Sequence, residues 1–152
     1  MLDIKRFKEI VDSFHNDLLK VQDEITNVKL ADDKWSLGEI IGHLIDSASN
    51  NHQRFVRLQY DDLLSLPAYD GEKWVKTQRY INMKWSVLVP LWYNYNCLLL
   101  NIIENADVKA FDNVWVKGED ALPLKHLMND YYKHLELHIE HFKTRLQELQ
   151  CR

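Results

Sequence analysis

Apolar residues recurring at alternating steps of three and four constrain this chain more than any other feature, because that spacing lays one stripe along an α-helix. Four segments carry it. The first runs through Ile4, Phe7, Val11, Phe14, Leu18, Val21 and Ile25. The second opens on Ser36-Leu-Gly-Glu39, a capping box in which Ser36 accepts from the backbone and Glu39 reaches back. It continues through Ile40, Ile41, Leu44, Ile45, Ala48, Phe55 and Leu58. The third places Trp85, Leu88, Trp92, Tyr95, Leu99 and Ile102 on one side. Pro90 falls early and opposite that side, where it either sits in the first turns or makes a kink. The fourth begins after Pro123 and runs through Leu124, Met128, Tyr131, Tyr132, Leu135, Ile139, Phe142, Leu146 and Leu149. With little strand signal elsewhere, the expected fold is all-α, a four-helix bundle.

Composition agrees. A chain of 152 residues with 46% apolar content is the size of one domain, here residues 1–152, and buries a core without disulfides or a structural metal. Four glycines and three prolines disfavour turn-rich sandwiches, barrels and glycine-rich phosphate loops. Lys and Arg sum to 19 against 23 Asp and Glu, a net charge of −4 without a basic block, so no nucleic acid is expected as a partner. Cys97 and Cys151 form no C-x-x-C pair and fit a reduced interior. The N-terminus lacks the apolar core of a signal peptide. Trp85 to Ile103 carries no charge and is long enough to span a bilayer, but Ser86, Pro90, Asn94, Asn96 and Asn101 would be costly in lipid. A buried bundle helix explains it better, in a soluble, cytoplasmic protein with no membrane partner.

The connections are uneven. About ten residues join the first two helices, whereas Gln59 to Lys84 is long and contains Pro67, Asp70-Gly71 and Trp74. A loop of that length is expected to cover a site. A second long connection, Ala106 to Leu122, carries Phe111, Val114, Trp115 and Val116 before Lys117-Gly118. It holds a short strand or lays its aromatics over one end of the bundle.

Seven histidines are where chemistry is to be sought. His134 and His138 stand four apart on the last helix and project from one face, an arrangement suited to clamping a metal through neutral imidazole nitrogens. His141 lies near the same face, three residues from His138, and offers a second choice of pair with it in place of His134. The plainer alternative is a solvated flank of a charged helix. An open three-ligand site needs one more group from another helix, and His43 is the candidate. It shares a stripe with Glu39, Asp46, Ser47, Asn50 and Arg54, roughly opposite the apolar face of the second helix. Periodicity alone does not decide whether that stripe faces solvent or walls a polar cavity, with Asp46 or Asn50 orienting ligands or substrate. His15, His52 and His126 read as surface or packing residues. On the third helix, Asn94 reaches a central cavity or bonds between helices. No Walker loop, G-x-S-x-G elbow or repeated Glu-x-x-His helix is present.

Trp35-Ser36-x-x-Glu39-Ile-x-x-His43-Leu-x-Asp46, followed by Tyr131-Tyr-x-His134-x-x-x-His138-Ile, resembles the DinB/YfiT superfamily. The stretch Leu66-Pro-Ala-Tyr69-Asp70-Gly-Glu-Lys-Trp74-Val resembles the connection found in many of its members, so the similarity spans essentially the whole chain. The resemblance implies a four-helix bundle with long connections between helices two and three and between three and four. It implies a divalent metal, Zn²⁺ or Ni²⁺ above all, held by His43, His134 and His138, with open positions for water or substrate. Members with known activity include thiol-dependent transferases, others are called putative metal-dependent hydrolases, and many form dimers. The expectation is therefore a metal-dependent enzyme that activates a low-molecular-weight thiol or water against a small molecule, as a homodimer. Asp46, Asn50, Arg54 and Asp70 are the candidates for orienting ligands or substrate at the catalytic site. The alternative is a non-catalytic dimeric metal- or ligand-binding module, or a stress-response helical protein.

Overall fold

The computed structural model describes residues 2–151. Four long helices form the body: α1 (Ile4–Leu18), α2 (Leu37–Arg57), α4 (Trp85–Glu104) and α5 (Leu124–Gln150). A short α3 (Gly71–Gln78) lies in the connection between α2 and α4, and a hairpin of β1 (Val114–Lys117) and β2 (Asp120–Pro123) precedes α5. The long connections expected after the second and third helices are therefore both partly structured.

Local sequence explains most of the boundaries. The Asp3 side chain accepts from the Arg6 amide at 3.0 Å and starts α1. The capping box of α2 is complete: Ser36 N donates to Glu39 Oε2 at 2.9 Å, and Glu39 N donates to Ser36 Oγ at 3.2 Å. Pro90 is the sixth residue of α4 and faces solvent, so the amide it lacks is missed only on the wet side. One expectation is corrected: the first helix ends at Leu18, not near Ile25. Lys20 and Val21 bond three residues back instead of four, and Ile25 falls in a separate 3₁₀ turn. The connection to α2 thus runs over residues 19–36, well beyond the ten or so expected.

Pair contacts give the arrangement. Phe14 stands edge-on to Trp92 and Trp85 Nε1 donates to Leu18 O, so α1 and α4 run antiparallel. Phe7 stacks on Tyr132 and Phe14 meets Phe142, so α1 and α5 run parallel. His43 faces His138 while Ser47 faces His134, making α2 and α5 antiparallel. Gly38 lies against Leu88 and His52 bonds Tyr95, making α2 and α4 parallel. Around the ring the order is α1–α4–α2–α5, with directions up, down, down and up along the chain.

This topology accounts for the connections. α1 and α2 sit diagonally across the bundle, as do α4 and α5, and a diagonal crossing needs more chain than a turn between neighbours. The parallel α2 and α4 require residues 58–84 to return the full length of the bundle. That return segment packs along α2, with the Tyr80 ring on Gly42, where a β-carbon would come within 2.2 Å of it. It is also stapled to the hairpin. Leu63 N donates to Val114 O, Val116 N donates to Leu63 O, and Trp115 Nε1 donates to Leu66 O at 2.8 Å. Every residue of α2 from Leu37 to Ala48 is buried as a result.

The core is continuous, with Trp92, Tyr132, Phe14, Phe55 and Phe142 its largest fully buried side chains. By length and composition α4 is apolar enough to cross a membrane, yet here it packs on α1 and α2. Its outer face leaves Val87, Leu91 and Leu98 exposed. Asn94 is on that outer face and reaches neither a cavity nor a neighbouring helix, whereas buried Asn96 accepts from Tyr131 Oη at 2.7 Å. The sequence expectation for Asn94 therefore belongs to its neighbour two residues on.

Candidate metal centre

Three imidazoles converge between α2 and α5. His43, His134 and His138 each present a nitrogen, and these nitrogens lie within 4.8 Å of one another. Ring centroids are 5.3 Å apart for His43 and His134, 4.5 Å for His43 and His138, and 4.4 Å for His134 and His138. His134 and His138 share a face because they are one turn apart on α5, and the antiparallel α2 brings His43 opposite them. His141 stands outside the cluster, its ring 6.0 Å from that of His138.

The surroundings keep these rings neutral. Burial pulls the His43 pKa down to about 3, helped by repulsion from His138, His134 and His141. Burial likewise lowers His138 to about 4, with His134 and His141 adding to the effect. His134 is lowered by burial, partly offset by Asp130. At neutral pH all three therefore offer lone pairs. Nδ1 of His43 and Nδ1 of His138 are buried without a hydrogen-bond partner, which is costly for imidazole in a polar cluster. A donor set of neutral nitrogens with unmet bonding capacity fits a borderline-soft divalent cation.

Two members of the polar stripe of α2, Ser47 and Arg54, wall a cavity, because the return segment and the hairpin cover it. Trp35 flanks His43 at 4.9 Å between ring centroids. On another side sits Gly71, where an added β-carbon would lie 3.0 Å from His43 Cε1. Ser47 Oγ is 3.5 Å from His134 Nδ1. From there a cavity of about 240 Å³ opens, lined among others by Asn51, Arg54, Tyr69 and Trp115.

The remaining residues singled out from sequence occupy different positions. Asp46 is buried, and its Oδ1 accepts from Tyr80 Oη and from Gln78 Nε2, each at 2.7 Å. Burial raises its pKa, and those two bonds restrain the rise. Asn50 turns back to the Asp46 carbonyl at 2.9 Å. Asp70 is exposed and caps α3 by accepting from the Lys73 amide at 3.1 Å, which sets Gly71 against His43. Arg54 is buried in the cavity wall. His52 bonds Tyr95, His15 stacks on Tyr93 and His126 is exposed. Sequence reasoning passes over Asn51, Gln78, Tyr80 and Lys117. Only Asn51 had a signal, its spacing of four from Ser47 and three from Arg54.

Fold and site together define a four-helix bundle with one crossover, carrying a three-histidine cluster between antiparallel helices, with His43 buried and His134 and His138 half-buried. No family model matches the sequence, and no curated protein does. Among solved structures the chain is similar to YfiT from Bacillus subtilis, described as a probable metal-dependent hydrolase with an unusual four-helix bundle topology. The superposition has a TM-score of 0.81 and covers 97% of this chain and 87% of that one, at 15% sequence identity. The architecture expected from the DinB/YfiT resemblance is thus the architecture found.

Proposed function

We propose that the chain is a metal-dependent enzyme acting on a small molecule, with His43, His134 and His138 as ligands of a divalent cation, Zn²⁺ or Ni²⁺. The observation that carries this reading is the cluster itself, three neutral imidazoles, His43 buried and His134 and His138 half-buried, whose nitrogens lie within 4.8 Å. A cation held by three neutral ligands lowers the pKa of a water or thiol beside it and so supplies a nucleophile at neutral pH. YfiT's description as a probable metal-dependent hydrolase supports the water route. The thiol route, an S-transferase joining a low-molecular-weight thiol to an electrophile, follows from the superfamily resemblance.

The chain's own residues bind and position. Trp35 and the Asp70–Gly71 turn hold His43 from outside, and Ser47 sits beside His134. Asp46 acts through Tyr80 and Gln78, tying the return segment over the site, and Asn50 bonds to the α2 backbone beneath it. Arg54 and Tyr69 face the cavity where substrate enters. A homodimer is part of the same reading, formed on the uncharged outer face of α4 where Val87, Leu91 and Leu98 are exposed.

The test is metal content of untagged protein. Near one equivalent of Zn²⁺ or Ni²⁺ in the wild type, lost in His43→Ala and in His138→Ala, is the expected result. A wild type that takes up no metal under repletion rejects the proposal. Assays with a thiol plus an electrophile, and with ester or amide substrates, then separate transferase, hydrolase and a non-catalytic binder.

A further inference from the structure

Arg54 is 7% exposed, and no Asp or Glu pairs with it among the described residues. Its guanidinium lies on the Trp115 indole, with Cζ 4.0 Å from the ring centroid, and Nη1 donates to Asn51 Oδ1 at 3.3 Å. Nε is buried with no hydrogen-bond partner. An always-charged group withdrawn from water without a counter-charge is costly, and the stacked ring and one amide oxygen return only part of that. Such a group is ordinarily paired. Here the space beside it is a cavity, and that cavity reaches His134.

We propose that this cavity is an anion site that takes the carboxylate of the small-molecule substrate, with Arg54 as the principal contact and the histidine cluster at the far end. The substrate half of this statement rests on the metal-centre reading above; the anion site does not. Arg54 presents a planar donor fork held flat by Trp115, which suits a planar carboxylate. The other charged groups facing the cavity are Lys117 and Asp130, and the remaining titratable groups there besides His134 are Tyr69 and Tyr131, both held neutral by burial. One exposed lysine against one exposed aspartate leaves a net charge near +1 from Arg54, matching a monoanion better than a phosphate dianion. A volume of about 240 Å³ is below the usual range for drug-sized ligands, so the substrate is a small acid.

Titration of the metal-free, full-length protein with propionate, its neutral isostere propionamide, and inorganic phosphate at constant ionic strength tests the site, read by the Trp115 indole N–H resonance. Propionate is expected to shift that resonance saturably, propionamide not to, and phosphate to bind more weakly. Arg54→Met is expected to weaken propionate at least tenfold while leaving the melting temperature equal or higher, because it removes an unpaired buried charge. A purely structural arginine would instead give a lower melting temperature and an unchanged titration. Propionamide binding as well as propionate, phosphate binding more tightly, or Arg54→Met titrating like the wild type each overturns the proposal. Metal uptake measured on the same samples keeps the two readings apart. Propionate binding without metal uptake rejects the metal centre alone, and metal uptake without propionate binding rejects the anion site alone.

Discussion

Tyr80 donates its phenolic hydrogen to Asp46 Oδ1 at 2.7 Å, across a ring that lies directly on the backbone of Gly42. Through this contact the return segment is closed over α2, and the histidine cluster is covered. A carboxylate with 1% exposure needs donors to remain in the interior, and Tyr80 and Gln78 are the two that it has. Tyr80→Phe is expected to cost about 1–3 kcal/mol, the range for an unmet bond to a buried charged group. Urea unfolding at neutral pH measures it, and a loss below a few tenths would remove Asp46 from this role.

Gly42→Ala sets two effects against each other. An alanine within a helix gains up to about 1 kcal/mol over glycine. Against this, its β-carbon would lie 2.2 Å from Tyr80 Cγ and Cδ2, so a buried ring must leave its place. Overpacking of that kind costs about 1–3 kcal/mol, and the bond to Asp46 is lost as well. The steric effect wins, and thermal denaturation should show a melting temperature lower by roughly 3–10 °C.

Gly71→Ala should separate metal affinity from stability. Gly71 is the first residue of α3, and the added carbon would sit 3.0 Å from His43 Cε1, so the imidazole must give way. Chelator competition should show cation affinity down roughly tenfold, as for other residues that orient ligands, with unfolding little changed. An unchanged affinity would show that the ring position is set elsewhere.

His141→Ala should keep its metal. His141 is half-buried on the same face of α5 but lies outside the group of three. Equal metal stoichiometry in wild type and variant is the expected outcome, and loss of the metal would place His141 among the ligands.

Acid should destabilise the metal-free protein earlier than carboxylate titration alone would. The unfolded histidines take up protons near pH 6.5, whereas His138 and His43 in the fold resist until about 4 and about 3. Between those values the unfolded state binds more protons, so stability present above pH 6.5 falls as pH drops towards 4. Urea midpoints measured from pH 8 to 4 should decline, and the decline should be shallower in His43→Ala. Parallel curves for the two proteins would contradict the neutral, buried state of His43.

The local features were legible because they depend on residues a few positions apart. Helical stripes, the Ser36–Glu39 box and the placement of His134 and His138 on one face follow from the 3.6-residue turn alone. The end of α1 at Leu18 was not legible, since the stripe continues through Val21 and Ile25 while the chain turns away to cross the bundle. The α2 polar stripe of His43, Asp46, Ser47 and Arg54 was ambiguous for a similar reason. Its periodicity is that of a wet surface, and only covering by α3, Tyr80 and the hairpin makes it an interior wall.

By itself, then, the amino-acid sequence determined the helices, their apolar faces and a pair of histidines one turn apart. The tertiary structure decided that α2 runs antiparallel to α5, which sets His43 against His134 and His138, and that Trp115 stacks on Arg54. Those contacts join residues some sixty to ninety-five positions apart. No local periodicity specifies them, because they follow from which buried faces pair and from how long connections route between helix ends.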